Sequence, residues 1–231
     1  MKNYLIIGGS SGIGKSLCQI LAEAGHQVYA TYNQHQPEES STNIQYAALD
    51  VMAETMDLDF LPEHLDGVAY CPGSINLKPF HRIKAAAFVE DYKLQVVGAV
   101  KILQAVMHKL KAAESASVVL FSTVAVQLGF NFHSQVAASK GAIEGLTRSL
   151  AAEWAPAIRV NAIAPSLTDT PLAAKLLSND EKKEANAQKH PMKKIGTPED
   201  VAQMAAFLLS DQSSWMTGQI LSLDGGMSSI K

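Results

Sequence analysis

Residues 7–14 read IGGSSGIG, with glycines at positions 8, 9, 12 and 14. The apolar run Tyr4–Ile7 precedes them, and apolar residues at helical spacing follow from Gly12 to Ala24. This pattern predicts a strand, a tight turn and a helix. Glycines in such a turn let the backbone approach a phosphate, and the helix N-terminus offers free N–H groups and a partial positive charge. The stretch therefore predicts a cradle for a pyrophosphate.

Short apolar runs alternate with longer helical patterns along the rest of the chain. The predicted strands are 28–31, 44–49, 67–71, 117–121, 159–164 and 219–223, and the predicted helices are 84–111, 134–153 and 199–209. Most of the strands are apolar throughout, which is typical of strands covered on both faces. The order predicts one α/β domain over residues 1–231, a three-layer, doubly wound parallel sheet. Residues 168–194 are polar and long for a connection, which predicts a lid-like segment.

Composition narrows the function classes. The net charge of −3 and the pI of about 6.2 predict neither a nucleic-acid nor an anionic-membrane partner. The first apolar run is too short for a signal peptide or a membrane span, so we expect a cytoplasmic protein. Cys18 and Cys71 have no metal-binding spacing. They predict a reducing compartment and no metal site.

The spacing Gly8-x-x-x-Gly12-x-Gly14 resembles the fingerprint of the short-chain dehydrogenase/reductase family, and the likeness covers essentially the whole chain. Ile7 stands where the family usually has threonine. Further matching segments are Asn161–Pro165 with Ser166 in the usual glycine position, Thr170, Thr217–Gln219 and Asp224–Gly226. The resemblance implies a Rossmann-type fold that binds NAD or NADP.

The resemblance also implies which residues contact the dinucleotide. Asp50, after the third predicted strand, matches the aspartate that contacts the adenine, although a turn cap is an alternative role. In residues 69–73 only Gly73 survives from the family's Asn-Asn-Ala-Gly stretch. The expected cofactor-binding residues are Gly8, Ser10, Ser11, Gly12, Ile13, Gly14, Asn33, Asp50, Val51, Gly73, Lys140, Pro165 and Thr170.

The choice between the two dinucleotides depends on the end of the second predicted strand, where residues 31–35 read TYNQH. A carboxylate there can bind the ribose hydroxyls of NAD and repels a 2′-phosphate. No acid is present, and Ser10, Ser11 and Asn33 can donate to a phosphate, with His35 adding charge. No lysine or arginine stands there either. NADP is therefore the preferred cofactor and NAD the alternative.

One departure from the family concerns the proton donor. The family uses a tyrosine, a lysine four residues later on the same helix, a strand-end serine and a helical asparagine. Here the lysine is Lys140, the serine position holds Thr123 and the asparagine position holds Gln95. The tyrosine position is Val136, which can neither donate nor accept a proton.

Three interpretations remain open. In the first, the protein is an NAD(P)(H)-dependent oxidoreductase that acts on a carbonyl, alcohol or enoyl group with a relocated acid. His133 is the preferred candidate, since related enoyl reductases have a tyrosine seven residues before their lysine and imidazole titrates near neutrality. Tyr70 and Tyr92 are other possible donors. In the second and third, the chain is a dinucleotide-binding regulatory module or a structural subunit of a mixed oligomer.

The sequence also suggests the character of the partners. Apolar side chains that would suit an apolar small-molecule substrate, or equally a core or interface, are Leu128, Phe130, Phe132, Leu172, Leu176 and Leu177. The helices predicted at 84–111 and 134–153 are those through which family members commonly pair. The resemblance therefore implies a homodimer or homotetramer.

Overall fold

The computed structural model describes residues 1–34, 36–37 and 41–230. His35, which the sequence suggested as a source of charge near a phosphate, lies outside the described residues. The strands are β1 Asn3–Ile7, β2 Gln27–Tyr32, β3 Ile44–Ala48, β4 Gly67–Tyr70, β5 Ala116–Phe121, β6 Ile158–Pro165 and β7 Ile220–Leu223. The helices are α1 Gly12–Glu23, α2 Ala85–Tyr92, α3 Gly98–Lys111, α4 Ala125–Leu128, α5 Ser134–Trp154, α6 Asp180–Ala187 and α7 Pro198–Leu209.

The strands form one parallel sheet in the order β3-β2-β1-β4-β5-β6-β7. An apolar cluster covers each face. One contains residues of α3 and α5, and the other contains residues of α1 and α7. Because helices cover both faces, the central strands are buried along nearly their whole length. The predicted three-layer, doubly wound fold of Rossmann type is confirmed.

The strand order reverses between β1 and β4. After β1 the chain builds β2 and β3 on one side, and it then crosses to β4 on the other side. The loops that leave β1 and β4 therefore diverge and open a crevice at the carboxyl ends of these strands. Ligands of open α/β sheets bind at such a crevice.

The long helix predicted at 84–111 is interrupted. Residues Lys93–Val97 form a π-helical segment between α2 and α3, in which the Gly98 N–H donates to the carbonyl of Lys93. The carbonyl of Leu94 is thereby free to accept a hydrogen bond of 2.6 Å from the Tyr70 hydroxyl. Gly98 permits this approach, since a Cβ there would overlap the hydroxyl oxygen. Such π segments are frequent at functional sites.

Residues 168–194, a stretch whose composition favours helix, contain a 3₁₀ turn at Pro171–Ala173 and the two-turn helix α6. Within this segment Ala173, Leu177 and Ala187 are buried. Opening and closing of this segment as a lid stays a prediction. None of the helices in the described part of the chain is long and apolar enough to cross a lipid bilayer.

Candidate functional site

A first cavity of about 340 Å³ lies at the crevice between the carboxyl ends of β1 and β4. Most of the residues expected to bind a dinucleotide line it: Gly8, Ser10, Ser11, Gly12, Ile13, Gly14, Asn33, Val51, Gly73 and Thr170. They come from the loops after β1, β2, β3, β4 and β6, so the tertiary fold brings together segments distant in sequence.

The glycine-rich loop has the geometry of an anion cradle. Gly8 and Gly12 have φ values of +76° and +51°, which other residues rarely adopt. The N–H of Gly8 donates to Thr31 Oγ1 at 3.1 Å, which ties the loop to β2. A Cβ on Gly14 would overlap the carbonyl oxygen of Gly8. Ser11 begins α1 without a side-chain cap, so the first N–H groups of the helix stay available for a phosphate.

Three of the expected cofactor residues lie elsewhere. Lys140 and Pro165 line the second cavity, described below. The Asp50 side chain is exposed and accepts the N–H of Met52 at 2.8 Å. It is not among the residues that line the first cavity, and the observed bond is that of the turn cap considered as its alternative role. Its adenine contact stays a prediction.

The second cavity, of about 520 Å³, continues from the first. The two share Ile13, Cys71, Gly73, Thr170 and Leu172. Four of the predicted apolar residues line it, namely Phe130, Phe132, Leu172 and Leu176. Leu177 instead belongs to the core, and Leu128 is exposed outside both cavities. The polar lining includes Thr123, Gln95, Lys140 and His133, so the four catalytic candidates share one chamber.

Gln95 and Lys140 converge beside Gly73. A Cβ on Gly73 would lie 3.6 Å from Gln95 Oε1 and 3.8 Å from Lys140 Nζ. The Gln95 Nε2 group donates to Asp91 Oδ2 at 2.8 Å, which orients the amide. Gln95 Oε1 is buried and has no hydrogen-bond partner in the described part of the chain. This orphaned acceptor suits a donor group of a ligand or a bound water.

The sequence interpretation missed Asp91. This carboxylate is only 5% exposed and accepts hydrogen bonds from Ser74 Oγ, from Gln95 and from Ser139 Oγ, the last at 2.5 Å. Asp91 lies four residues before Gln95, and this spacing puts both side chains on one helix face. The spacing was the signal by which the sequence could have revealed Asp91 as a partner of Gln95. Asp91 therefore positions the amide of Gln95 and supplies a negative charge near Lys140.

Two adjacent hydroxyl residues at the end of β5 have different roles. Ser122 Oγ donates to the buried carboxylate of Glu144 at 2.8 Å. Thr123 Oγ1 accepts the N–H of Ala125 at 3.3 Å. That bond uses a lone pair and not the hydroxyl proton. Thr123, as predicted from the family spacing, is thus the residue suited to donate to an oxygen in the second cavity.

The candidate proton donors differ in their surroundings. Val136 is 8% exposed and lines the second cavity. His133 precedes α5, and its Nδ1 lies 2.8 Å from the carbonyl of Asn131. Tyr70 is not available as an acid, because its hydroxyl already donates to Leu94 and burial raises its pKa. Tyr92 is exposed and lines neither cavity.

A second histidine in this chamber was also missed. His190 is 3% exposed, and its Nε2 lies 2.8 Å from Ser166 Oγ. Its Nδ1 lies 2.9 Å from the carbonyl of Asn186. Both Ser166 and His190 line the second cavity. The only signal in the sequence was Ser166, the polar residue in the family's glycine position.

Cys71 contacts both cavities but is a poor nucleophile. Burial raises the pKa of its thiol to about 12, although Lys140 opposes the shift. The thiolate is therefore scarce at neutral pH, and the thiol is the less reactive form.

The sequence is similar to those of known reductases. The sequence profile of a family described as enoyl-(acyl carrier protein) reductase matches residues 8–228. The chain belongs to the short-chain dehydrogenase/reductase family. A tropinone reductase homologue of Arabidopsis thaliana is 31% identical over 97% of this chain and 92% of its own.

Solved structures of short-chain dehydrogenases superpose closely. A family protein from Francisella tularensis gives a TM-score of 0.90 at 28% identity, covering 99% of both chains. The structure of ElxO with NADP bound gives 0.89 at 28% identity, covering 99% of this chain and 100% of that one. The cofactor of this short-chain dehydrogenase/reductase is a nicotinamide dinucleotide, NADP(H) or NAD(H).

We expect dinucleotide binding to be sensitive to pH through Lys140. Burial lowers the pKa of its ammonium to about 8, and the Asp91 carboxylate opposes the shift. If the ammonium holds the ribose, affinity declines as pH rises through 8. In Asp91→Asn the opposing charge is absent, so the decline should begin at lower pH and affinity at pH 8 should fall roughly three- to ten-fold. Calorimetric titration with NADPH between pH 6 and 9 measures this.

Glu90→Gln is the matched control, since Glu90 is an exposed carboxylate on the same helix that pairs with Lys93. It should leave the pH profile of the wild type unchanged. Identical profiles for the Asp91 and Glu90 variants would contradict the electrostatic coupling of Asp91 to Lys140.

Proposed function

We propose that this protein is an oxidoreductase that prefers NADP(H) and interconverts a carbonyl and an alcohol, or reduces an enoyl group, in an apolar small molecule. The observation that carries the proposal is the continuity of the two cavities. The cradle for the dinucleotide opens directly into an apolar chamber that contains Thr123 and Lys140. A hydride donor held in the first cavity would therefore reach a substrate in the second.

Three polar groups in the chamber have a chemical role under this proposal: those of Lys140, Thr123 and Gln95. When bound, the dinucleotide supplies or takes up the hydride. Lys140 donates to the ribose hydroxyls and its charge steadies a developing oxyanion. Thr123 donates to the substrate oxygen, and Gln95 Oε1 accepts from a water or a ribose hydroxyl. The apolar walls exclude bulk water, which strengthens these interactions.

Val136 favours a second candidate function. A buried valine in place of the general acid is compatible with a dinucleotide-responsive regulatory or structural subunit that binds cofactor without turnover. Assays with NADPH and NADH on acetophenone, cyclohexanone and crotonyl-pantetheine distinguish the two functions. Turnover of any probe supports the oxidoreductase, whereas tight cofactor binding without turnover supports the subunit. Pairing of chains through α2, α3 and α5 is part of both proposals, and sedimentation measures it.

Cofactor preference is testable at Asn33, which lines the first cavity. We expect NADPH to bind more tightly than NADH. Asn33→Asp should weaken NADPH roughly ten- to hundred-fold, because a carboxylate repels the 2′-phosphate, and should spare NADH. Titration calorimetry with both dinucleotides measures the ratio. The control is Gln34→Glu, the same chemical change at an exposed neighbour outside the cavity lining. If Asn33→Asp weakened NADPH and NADH equally, Asn33 would not lie beside the 2′-phosphate.

A further inference from the structure

We infer that Ser166 and His190 form a proton relay that serves the second cavity in place of the absent tyrosine. The inference rests on the proposed oxidoreductase function. Ser166 directly follows β6, and His190 lies 24 residues later, beyond α6. Both side chains line the chamber that holds Thr123 and Lys140.

The hydrogen bonds of His190 define its tautomer. The carbonyl of Asn186 can only accept, so the proton of the neutral ring is on Nδ1, 2.9 Å away. Nε2 then accepts the hydroxyl proton of Ser166 over 2.8 Å. When the ring is protonated, Nε2–H donates to Ser166 Oγ instead. The Ser166 hydroxyl proton then turns either to Met227 Sδ, 3.6 Å away, or to a substrate oxygen, which is the stronger acceptor.

Hydrogen bonding favours His190 over His133 as the source of a proton. His190 Nε2 lies 2.8 Å from the hydroxyl of Ser166, which can pass a proton on. His133 Nδ1 lies 2.8 Å from the backbone carbonyl of Asn131, which cannot.

Charged side chains near His190 come from the turn after β7, from its own segment after α6 and from α5. Asp224, in the turn after β7, is a buried carboxylate that interacts with His190. Burial opposes its ionisation, but hydrogen bonds from Ser228 and from the Gly226 N–H hold the pKa of Asp224 below its usual range. Lys189 and Lys193 flank the histidine and bond to Asn186 Oδ1 and the Gln188 carbonyl, and Lys140 lines the same chamber. Asp224 is therefore a negatively charged group that interacts with His190.

Ser166 lies close to Thr123, the residue proposed to hold the substrate oxygen. The N–H of Val124 donates to the carbonyl of Pro165 at 3.2 Å, which joins the chain just beyond Thr123 to the chain just before Ser166. Two hydroxyl residues at neighbouring strand ends thus face one chamber. Thr123 can hold the oxygen while Ser166 supplies its proton.

Every proton and electron pair moved by the relay has a donor and an acceptor. In reduction, the carbonyl carbon gains the hydride from the reduced dinucleotide and the π electrons move onto oxygen. The oxygen takes the hydroxyl proton of Ser166, Ser166 Oγ takes the Nε2 proton of His190, and the neutral imidazole regains a proton from water. Oxidation of an alcohol runs through the same bonds in reverse.

Kinetics of His190→Asn, Ser166→Ala and Ser166→Gly test the relay, the last restoring the residue usual in the family. With NADPH and whichever of acetophenone, cyclohexanone and crotonyl-pantetheine the wild type reduces, kcat should fall about 10²-fold or more in each variant. The Kd for NADPH should stay within about three-fold, because the relay acts on the chemical step and not on cofactor binding. His108→Asn, a substitution of an exposed histidine on α3, should match the wild type.

Nitrogen NMR of the protein without cofactor gives an independent readout. Neutral His190 should carry its proton on Nδ1, and Ser166→Ala should change the chemical shift of Nε2, which loses its hydrogen-bond partner. The relay is overturned by an Nε2–H tautomer, by variants that keep the kcat of the wild type, or by loss of turnover in His133→Ala while His190→Asn stays active. Absence of wild-type turnover on every probe with NADPH and NADH overturns the proposed function itself, which is a different result.

Discussion

Val136→Tyr is expected to raise carbonyl-reducing turnover by about 10²-fold, within the range that a positioned general acid contributes. Position 136 is one helical turn before Lys140, so a tyrosine hydroxyl would lie on the same face as the ammonium. That positive charge lowers the pKa of a nearby phenol. The second cavity, of about 520 Å³, provides space for the ring in front of Val136.

The phenylalanine variant separates proton transfer from packing. Val136→Phe fills the same space without a hydroxyl and should show no gain. The rate increase of Val136→Tyr should persist when His190 is asparagine, since the phenol then replaces the inferred relay. Steady-state kinetics with NADPH and acetophenone measure the turnover of the two aromatic variants and of the double variant. If both aromatic variants keep wild-type turnover while their unfolding midpoints stay unchanged, the missing acid is not what restricts this site.

Gly14→Ala is expected to weaken NADPH binding at least 10²-fold and to destabilise the fold. A Cβ at this position overlaps the carbonyl oxygen of Gly8, which is backbone and cannot rotate away. The loop and the start of α1 must separate, which misplaces the N–H groups that receive the phosphates. Overpacking of this kind costs about 1–3 kcal/mol of unfolding free energy.

Gly145→Ala is the matched control. Gly145 is an exposed helical glycine on α5, and a Cβ there would have no neighbour within 4 Å. Alanine in a helix should stabilise the protein by up to about 1 kcal/mol and leave NADPH affinity unchanged. Urea unfolding and calorimetry measure the two effects. Wild-type NADPH affinity in the Gly14 variant would show that the glycine cradle is not the binding site.

The sequence by itself determined the fold and predicted most of the residues that line the first cavity. Apolar strands, the IGGSSGIG turn and helical periodicity are local patterns, and they predicted a doubly wound sheet with its ligand at the carboxyl ends of the strands. The catalytic positions of Lys140, Thr123 and Gln95, and the valine at position 136 in place of a tyrosine, were implied by the resemblance to the family.

Only the tertiary structure revealed which side chains meet. Ser166 and His190 are 24 residues apart, and Ser139 and Asp91 are 48 residues apart. The π segment that contains Gln95 accepts a hydrogen bond from the hydroxyl of Tyr70 on β4. Periodicity reports which face of an element is buried, but it contains no information about the element that packs there. These contacts join elements that are distant along the chain, and sequence spacing does not encode which elements pack together.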